Sequence, residues 1–389
     1  MFGQKLLPWD YGVRNLFRRP SRSALTLVGL TIVVLLVLVV VGFIRGLEAS
    51  LSATGNPNVV LVYSLSSAAD IENSAIPAST PTLLTASVDG VRKNHGVEYV
   101  SPELYLGTRI SAEGMSEPGL GLVRGVTTSA PLVREQVQLV EGNWPQSGEV
   151  MVGRLVHSKL GADADALAVG HQVSFDGQTW TISGRFTAGG SAFESEVWCP
   201  LADLQTALKR QDLSLVAVTM QSPDRVADVD LFCRERIDLE LKAVGEADYY
   251  ASLQKHYRPV RMLGWIVVAL VAGSGIFAGL NTMYGAVVGR IRELATLQAL
   301  GFRRRAILLT LVQEATLMAC LGALAACAIG ISTIDGAAVR FTMGAFMLRI
   351  DSLAIAVACG VAVLLGVVGA LPAAIKAMRL PVVEAIKSI

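Results

Sequence analysis

Charged residues are scarce in this chain. Asp, Glu, Lys and Arg make up 17% of its 389 residues, whereas hydrophobic residues make up 52%. The mean hydropathy of +0.51 is too high for an ordinary soluble chain of this length. The shortage of charge therefore predicts an integral membrane protein.

The sequence motifs of catalysis are missing as well. There is no G-x-x-x-x-G-K-[ST] loop, so this chain cannot bind ATP in the P-loop manner, and any ATPase must be a separate subunit. There is no G-x-S-x-G elbow and no H-E-x-x-H, and the four histidines are dispersed. We expect no catalytic residue, no metal site and no cofactor in this chain.

Only five cysteines are present. Cys320, Cys327 and Cys359 fall within predicted membrane spans, where a thiol behaves as a small hydrophobe. Cys199 and Cys233 fall in the segment predicted to be external, and their spacing fits no metal motif. A disulfide between them is left open, because sequence cannot show that they are close.

Four long apolar runs stand out against the scarce charge. Each is long enough to cross a bilayer, which takes about 20 helical residues. They cover residues 24–44, 262–288, 307–334 and 352–375. A cleaved signal peptide also has a basic flank and an apolar run, but the first run is too long and no clear A-x-A site follows it.

The remaining charges are sorted along the chain. Residues 45–261 hold 18 Lys and Arg against 26 Asp and Glu, a net charge of −8. The three segments predicted to be cytoplasmic hold 13 basic residues against 3 acidic ones. The positive-inside rule therefore puts both termini in the cytoplasm and the acidic segment outside, where nucleic-acid binding is disfavoured.

The predicted fold class is a polytopic α-helical membrane protein with four transmembrane helices and a large α+β extracytoplasmic domain between helices 1 and 2. Its predicted parts are a cytoplasmic amphipathic N-terminal helix (1–23), the first span (24–44), the extracytoplasmic domain (45–261), the second span (262–288), a cytoplasmic helical segment (289–306), the third span (307–334), a short external loop (335–351), the fourth span (352–375) and a cytoplasmic tail (376–389).

Within the extracytoplasmic domain, side-chain alternation predicts strands at 59–63, 149–152 and 213–220, and a hairpin at 172–182 with its turn at Asp176-Gly177. Apolar periodicity predicts helices at 155–160, 201–208 and 225–241. Residues 64–87 are rich in Ser, Ala, Thr and Pro without periodicity, which predicts a mobile loop.

The segment 290–301 predicts a short helix on the membrane surface. At about 100° per residue, Ile291, Leu294 and Ala295 share one face, and Leu297 and Leu300 lie on another. A second apolar face bordered by Arg290 and Glu293 suits insertion into a groove on a protein partner. The alternative is an ordinary basic loop that obeys the topology rule.

Two further features lie in the spans. Glu314 falls about two turns inside the third span, where a carboxylate suggests a polar contact between helices more than an ion pathway. The second span carries two G-x-x-x-G pairs, Gly275 with Gly279 and Gly285 with Gly289, a spacing that lets helices approach closely.

The stretch RIRELATLQALGFRRRAI at 290–307 closely resembles the signature of the MacB/FtsX-like superfamily of ABC transporter permeases. Segments 15–25, 313–315, 322–326 and 371–386 are similar to other membrane parts of that family, and 141–150 and 197–201 resemble its periplasmic core domain. The resemblance is weaker from about residue 64 to residue 139.

The resemblance implies a dimer of four-span subunits in the bacterial cytoplasmic (inner) membrane, each served by a separate ABC subunit that binds ATP and Mg. Segment 290–301 would be the coupling helix, and Leu297 and Leu300 would fill the partner's groove. The residues expected to couple to the ATPase are Arg290, Arg292, Glu293, Leu297, Leu300 and Gly301. The glycine pairs would pack helices within the dimer.

The leading hypothesis is an ATP-driven export permease, with a periplasmic adaptor protein as a further partner. The alternative is an FtsX-like transmitter that activates an extracytoplasmic enzyme such as a cell-wall hydrolase. A third hypothesis, a membrane-bound enzyme, needs a catalytic set that the sequence does not offer.

Overall fold

The structure, a computed structural model, describes residues 20–67, 70–341 and 344–379, without the side chains of residues 22, 373 and 377–379. Most of the predicted N-terminal helix (1–23) and of the predicted tail (376–389) lies outside the described residues. The described chain divides into a membrane unit (residues 20–45, 259–336 and 348–379) and an external unit (46–258 and 337–347).

The described chain contains four long α-helices and seven short ones. In chain order, the α-helices are α1 (Pro20–Thr54), α2 (Thr80–Ser87), α3 (Ala130–Val133), α4 (Val156–Leu160), α5 (Leu201–Leu208), α6 (Val226–Glu235), α7 (Glu246–His256), α8 (Arg258–Val288), α9 (Ile291–Ala299), α10 (Arg304–Ile329) and α11 (Ser352–Arg379).

The strands follow one another through the external unit. They are β1 (Val59–Ser64), β2 (Lys93–Asn94), β3 (Val97–Glu98), β4 (Val100–Ala112), β5 (Gly119–Val126), β6 (Gln138–Gly142), β7 (Glu149–Gly153), β8 (Gln172–Phe175), β9 (Gln178–Thr187), β10 (Glu196–Pro200), β11 (Leu215–Thr219), β12 (Leu241–Gly245), β13 (Ala338–Phe341) and β14 (Gly344–Met347).

Four helices of the described chain are long and apolar enough to cross a membrane: Ser23–Thr54, Arg258–Val288, Arg304–Ile334 and Ser352–Lys376. All four meet in a core of small and branched side chains, to which α8 contributes Val268. Val34 and Leu38 of α1 pack there against Ala319 of α10 and Ala358 of α11. Because alanine carries only a methyl group, these helices can approach closely.

The external unit is built on one ten-stranded sheet, in the order β12-β1-β11-β4-β5-β10-β7-β9-β6, with β8 paired to β4 and β9. Its strands pair in antiparallel fashion except β5 with β10 and β7 with β9, which are parallel. Apolar clusters on one face of the sheet and on the other pack against the short helices. Strand β1 is therefore buried on both sides, as its six consecutive buried residues show.

Several sequence predictions are confirmed in this unit. Strands β1, β7 and β11 lie at the predicted positions, and β8 and β9 form the predicted hairpin. Its turn residues, Asp176 and Gly177, have φ values of 51° and 73°. This left-handed pair is what a two-residue type I′ turn requires.

The predicted mobile loop at 64–87 is wrong over its described part. Two apolar side chains anchor the segment: Ile76 bridges to Leu213, and Leu84 is fully buried. Helix α2 begins beside Pro81, a favoured position for proline in the first helical turn. The serine-rich composition concealed these few buried anchors.

Two other predictions need correction. The helix predicted at 225–241 ends at Glu235, and the chain continues through a 3₁₀ turn, Ile237–Leu239, into β12. Cys199 and Cys233 are both free thiols, buried in separate apolar clusters. The disulfide that the sequence left open is therefore not formed in this structure.

Candidate functional site

Helix α9 is a separate short element between two membrane helices. Its C-terminus is closed by two backbone bonds, from Gly301 N to Gln298 O at 3.0 Å and from Phe302 N to Leu297 O at 3.1 Å. This pattern is a Schellman motif, which needs a left-handed residue after the helix. Gly301 supplies it with a φ of 91°.

The inner face of α9 packs on the ends of the membrane helices. Leu294 is buried in a cluster with Val287 of α8, with Ile307 and Leu311 of α10 and with Ala374 of α11. The buried apolar face therefore holds α9 against three other helices of its own unit.

The two leucines predicted to enter a partner's groove differ in exposure. Leu297 is half-buried against the cluster just described, whereas Leu300 is 66% exposed. Arg292 and Glu293 are also exposed. The role of these residues at a partner stays a prediction, and Leu300 has the exposed apolar surface that it requires.

Arg290 joins α9 to the third span. Its side chain is 9% exposed, and Nη1 lies 3.1 Å from Oε2 of Glu314 on α10. Its Nε lies 3.4 Å from Oε2 of Glu293, three residues along the chain. Glu314 thus takes part in a polar contact between helices. Because both partners are largely removed from water, breaking the pair would leave a poorly solvated charge.

The predicted packing glycines lie in different environments. A Cβ on Gly275 would come within 2.9 Å of Leu365, and Gly279 faces the backbone of Gly369, so both meet α11 of the same chain. Gly285 and Gly289 are exposed. Their packing against a second copy stays a prediction.

A network of five charged side chains lies in the core of the external unit. It comprises Glu103 of β4, Arg124 of β5, Arg134 after α3, Glu196 of β10 and Glu246 of α7, none more than 5% exposed. Three carboxylates therefore face two guanidinium groups in a region that water hardly reaches.

The two arginines bind these carboxylates in forked geometry. Arg124 donates from Nε and Nη2 to the two oxygens of Glu196, at 2.7 and 2.6 Å, and from Nη1 to Glu103 at 2.5 Å. Arg134 donates from Nε and Nη2 to the oxygens of Glu103, at 3.0 and 3.1 Å, and also pairs with Glu246. Such two-point contacts fix orientation as well as charge.

Aromatic rings enclose the network. The guanidinium carbon of Arg124 lies 4.2 Å from the ring centre of Tyr105 and 4.7 Å from that of Phe193. The indole Nε1 of Trp198 donates to Glu196 at 2.8 Å. These rings exclude water and stabilise the cation through their electron-rich faces.

The pKa values of two equally buried carboxyl groups shift in opposite directions. Burial by itself would raise the pKa of Glu103, but the charges of Arg134 and Arg124 hold it down at about 2. For Glu246, burial prevails over the single charge of Arg134 and raises the pKa above its ordinary value. Glu103 is thus firmly ionised, and Glu246 carries the less favoured charge.

Sequence analysis missed this network entirely. Its members lie up to 143 positions apart, from Glu103 to Glu246, and only the sheet and the start of α7 bring them together. A signal was present, because Arg124 interrupts the apolar strand β5 and Glu196 begins the apolar strand β10. A lone charge in an apolar strand indicates a buried partner of opposite charge.

Comparison with known families identifies two regions. Residues 23–230 match the family model of the MacB-like periplasmic core domain, more than half of the chain. Residues 265–382 match the FtsX-like permease C-terminal region. No curated protein matches the chain.

Solved structures show distant similarity. The periplasmic region of MacB from Actinobacillus actinomycetemcomitans is 11% identical, with a TM-score of 0.40, over 54% of this chain and 97% of that one. The extracellular domain of the ABC-type transporter YknZ from Gram-positive bacteria is 15% identical, with a TM-score of 0.37, over 48% of this chain and 100% of that one.

Proposed function

This chain belongs to the MacB/FtsX-like family of ABC transporter permeases, and from that membership we propose that it couples ATP hydrolysis by a separate subunit to extrusion of a substrate on the extracytoplasmic side. The observation that carries the proposal is α9, a short helix with one buried face and an exposed leucine at its end.

The contacts of α9 support a mechanical role. A force on its exposed side would reach α10 through the Arg290–Glu314 pair and through the apolar cluster around Leu294. Because these contacts involve the ends of several helices, α9 would move together with them. No covalent step is needed in this chain.

The partner supplies the energy in this proposal. ATP and Mg would be bound by the ABC subunit, and its closure around ATP would push α9. We place two permease copies in the bacterial inner membrane, with both termini in the cytoplasm, because the positive-inside rule favours that orientation. Charged residues are few in the apolar windows of the four spans. A wide hydrophilic channel is therefore not part of the proposal.

The coupling role can be tested by coexpression with the ATPase subunit. We expect Leu300→Asp to lower the amount of copurified ATPase at least tenfold, because it puts a charge where an apolar groove must close. Thermal unfolding should be unchanged, since Leu300 is 66% exposed. Leu300→Met is the matched control and should retain the ATPase.

A second variant separates binding from coupling. Glu314→Gln should keep the ATPase bound but reduce its turnover in the assembled complex, because the charged contact between α9 and α10 is weakened. Unchanged copurification of Leu300→Asp together with unchanged turnover would overturn the coupling assignment.

Export and signalling would use the same coupling through α9. They differ in what the movement of the permease acts on outside the membrane. In the signalling alternative, an extracytoplasmic enzyme would bind the external unit and no substrate would leave the membrane. Capture of a cell-wall hydrolase by the purified complex, with no efflux of any cargo, would replace export by signalling.

A further inference from the structure

An open cleft of about 170 Å³ lies within the external unit, beside the buried ion network. One water molecule needs about 10–15 Å³ of such space, so the cleft has room for a molecule of several heavy atoms. Arg124 and Glu196 of the network both line it. The cleft suits a small molecule or the end of a long side chain.

The walls of the cleft are aromatic and apolar. Six rings line it, from Tyr105, Tyr249, Tyr250, Tyr257, Phe341 and Phe346. The apolar side chains of Leu51, Leu122 and Leu253 fill the space between the rings. Aromatic faces attract organic cations, with Trp and Tyr among the best, and leucines accept an alkyl stem.

The adjoining network is one positive charge short whenever Glu246 is ionised, a form that burial disfavours. Glu103, Glu196 and Glu246 carry three negative charges if all are ionised, and Arg124 and Arg134 carry two positive ones. All five side chains are nearly inaccessible to water, so solvent compensates the surplus poorly. A cation in the adjacent cleft would balance it.

Glu72 adds an uncompensated carboxylate to the cleft wall. It is half-buried, and its side chain forms no hydrogen bond or ion pair with any residue that the structure describes. Neighbouring Asp70 is already engaged, because its oxygens accept from Glu72 N and Asn73 Nδ2. Glu72 is therefore the acidic group that is available to a ligand.

Its surroundings make an unpaired charge on Glu72 unfavourable. Burial raises the pKa of Glu72, and the negative charges of Asp70 and Glu196 raise it further. Lys159 opposes them with the smallest effect, and its ammonium donates to the carbonyl oxygen of Phe341. A bound cation would relieve this repulsion.

We propose that this cleft binds a small organic cation, an ammonium group on a short alkyl stem. The ammonium would pair with Glu72, and the stem would lie against the tyrosine rings and Leu253. An anion would meet the carboxylate of Glu72 there, and a neutral molecule would leave that carboxylate without a partner. The shared chemistry of a free alkylamine and a lysine side chain fits the site.

The test uses the full-length protein in detergent and measures binding by calorimetry. Hexylamine is the probe, and hexanol and hexanoate are its neutral and anionic counterparts. We expect saturable binding of hexylamine and at least tenfold weaker binding of the other two. Nα-acetyl-lysine amide separates the sources: its binding indicates a lysine side chain of a protein, and binding of hexylamine alone indicates a free amine.

The variant Glu72→Gln should weaken hexylamine binding at least tenfold. The matched control is Glu117→Gln, at an exposed glutamate outside the cleft, which should bind as the parent does. Equal affinity in both variants, or equal binding of hexylamine and hexanol by the parent protein, would overturn the proposal. The comparison of the three ligands needs no variant, so it stands even if Glu72→Gln fails to fold.

Discussion

Glu103 accepts from both buried arginines, and this double contact decides its charge. Three of its contacts to Arg124 and Arg134 are 2.5 to 3.1 Å long. Glu246 pairs with Arg134 alone and takes one backbone bond from Asn56. Two carboxylates of one network, equally buried, thus differ in how strongly their ionised forms are favoured.

The network makes a prediction about stability and pH. A carboxyl whose pKa drops from 4.5 to about 2 adds stability above pH 4.5 and loses it as the pH falls towards 2. We expect Glu103→Gln to lower the free energy of unfolding by about 3 kcal/mol at pH 7, since one pKa unit is worth about 1.4 kcal/mol. Unfolding of the full-length protein in detergent, followed by tryptophan fluorescence, measures it.

Glu246→Gln is the matched control for this experiment. The raised pKa of Glu246 means that its neutral form is more favoured than that of an ordinary glutamate, so a stability contribution present at low pH is lost as the pH rises through that pKa. The neutral amide should therefore cost much less than in Glu103→Gln. Equal losses in both variants would contradict the assignment of charge within the network.

At the scale of elements, close packing of the membrane helices depends on glycine at the points of contact. Gly366 of α11 lies against α10, where an added Cβ would come within 2.8 Å of the Cα of Thr316 and 3.1 Å of the Cβ of Ala319. Gly360, less than two turns away on the same helix, has open space around its Cα. The two glycines therefore differ in packing alone.

This difference predicts opposite effects on stability when each glycine is replaced by alanine. Gly366→Ala should destabilise the protein by about 1 to 3 kcal/mol, because overpacking forces the helices apart. Gly360→Ala should be neutral or stabilising by up to about 1 kcal/mol, since alanine favours the helix. Thermal unfolding in detergent measures both, and a greater loss for Gly360→Ala would show that α10 and α11 do not pack as described.

At the scale of the whole molecule, the sorting of charge is the feature from which we predict orientation. The acidic region between the first two spans and the basic segments around the others carry opposite net charges. Lys and Arg are retained on the cytoplasmic side during insertion. The orientation proposed above therefore rests on composition rather than on packing.

Cysteine labelling in intact cells tests this orientation. Thr179→Cys, at an exposed position of β9, should react with a membrane-impermeant maleimide, whereas Ala299→Cys of α9 should react only after permeabilisation. The three cysteines of the membrane helices, Cys320, Cys327 and Cys359, would first be replaced by alanine. Cys199 and Cys233 can stay, because both are buried and burial raises the pKa of each thiol. Labelling of Ala299→Cys in intact cells would reverse the topology.

Much of the fold could be predicted from local sequence. Apolar runs indicated the four long helices, and the alternation around Asp176-Gly177 indicated the β8–β9 hairpin. Periodicity also located α9 and its two kinds of face. These features depend on residues close together in the chain, so their pattern is visible without tertiary contacts.

The sequence by itself determined the membrane class, the α+β external domain and the position of the short helix between spans. Only the tertiary structure decided that Leu297 packs inward while Leu300 is exposed, and that Arg290 meets Glu314. It alone brought Glu103, Arg124 and the cleft together. Such contacts join residues far apart in the chain, and their partners are specified by sheet order and helix packing, which no local pattern contains.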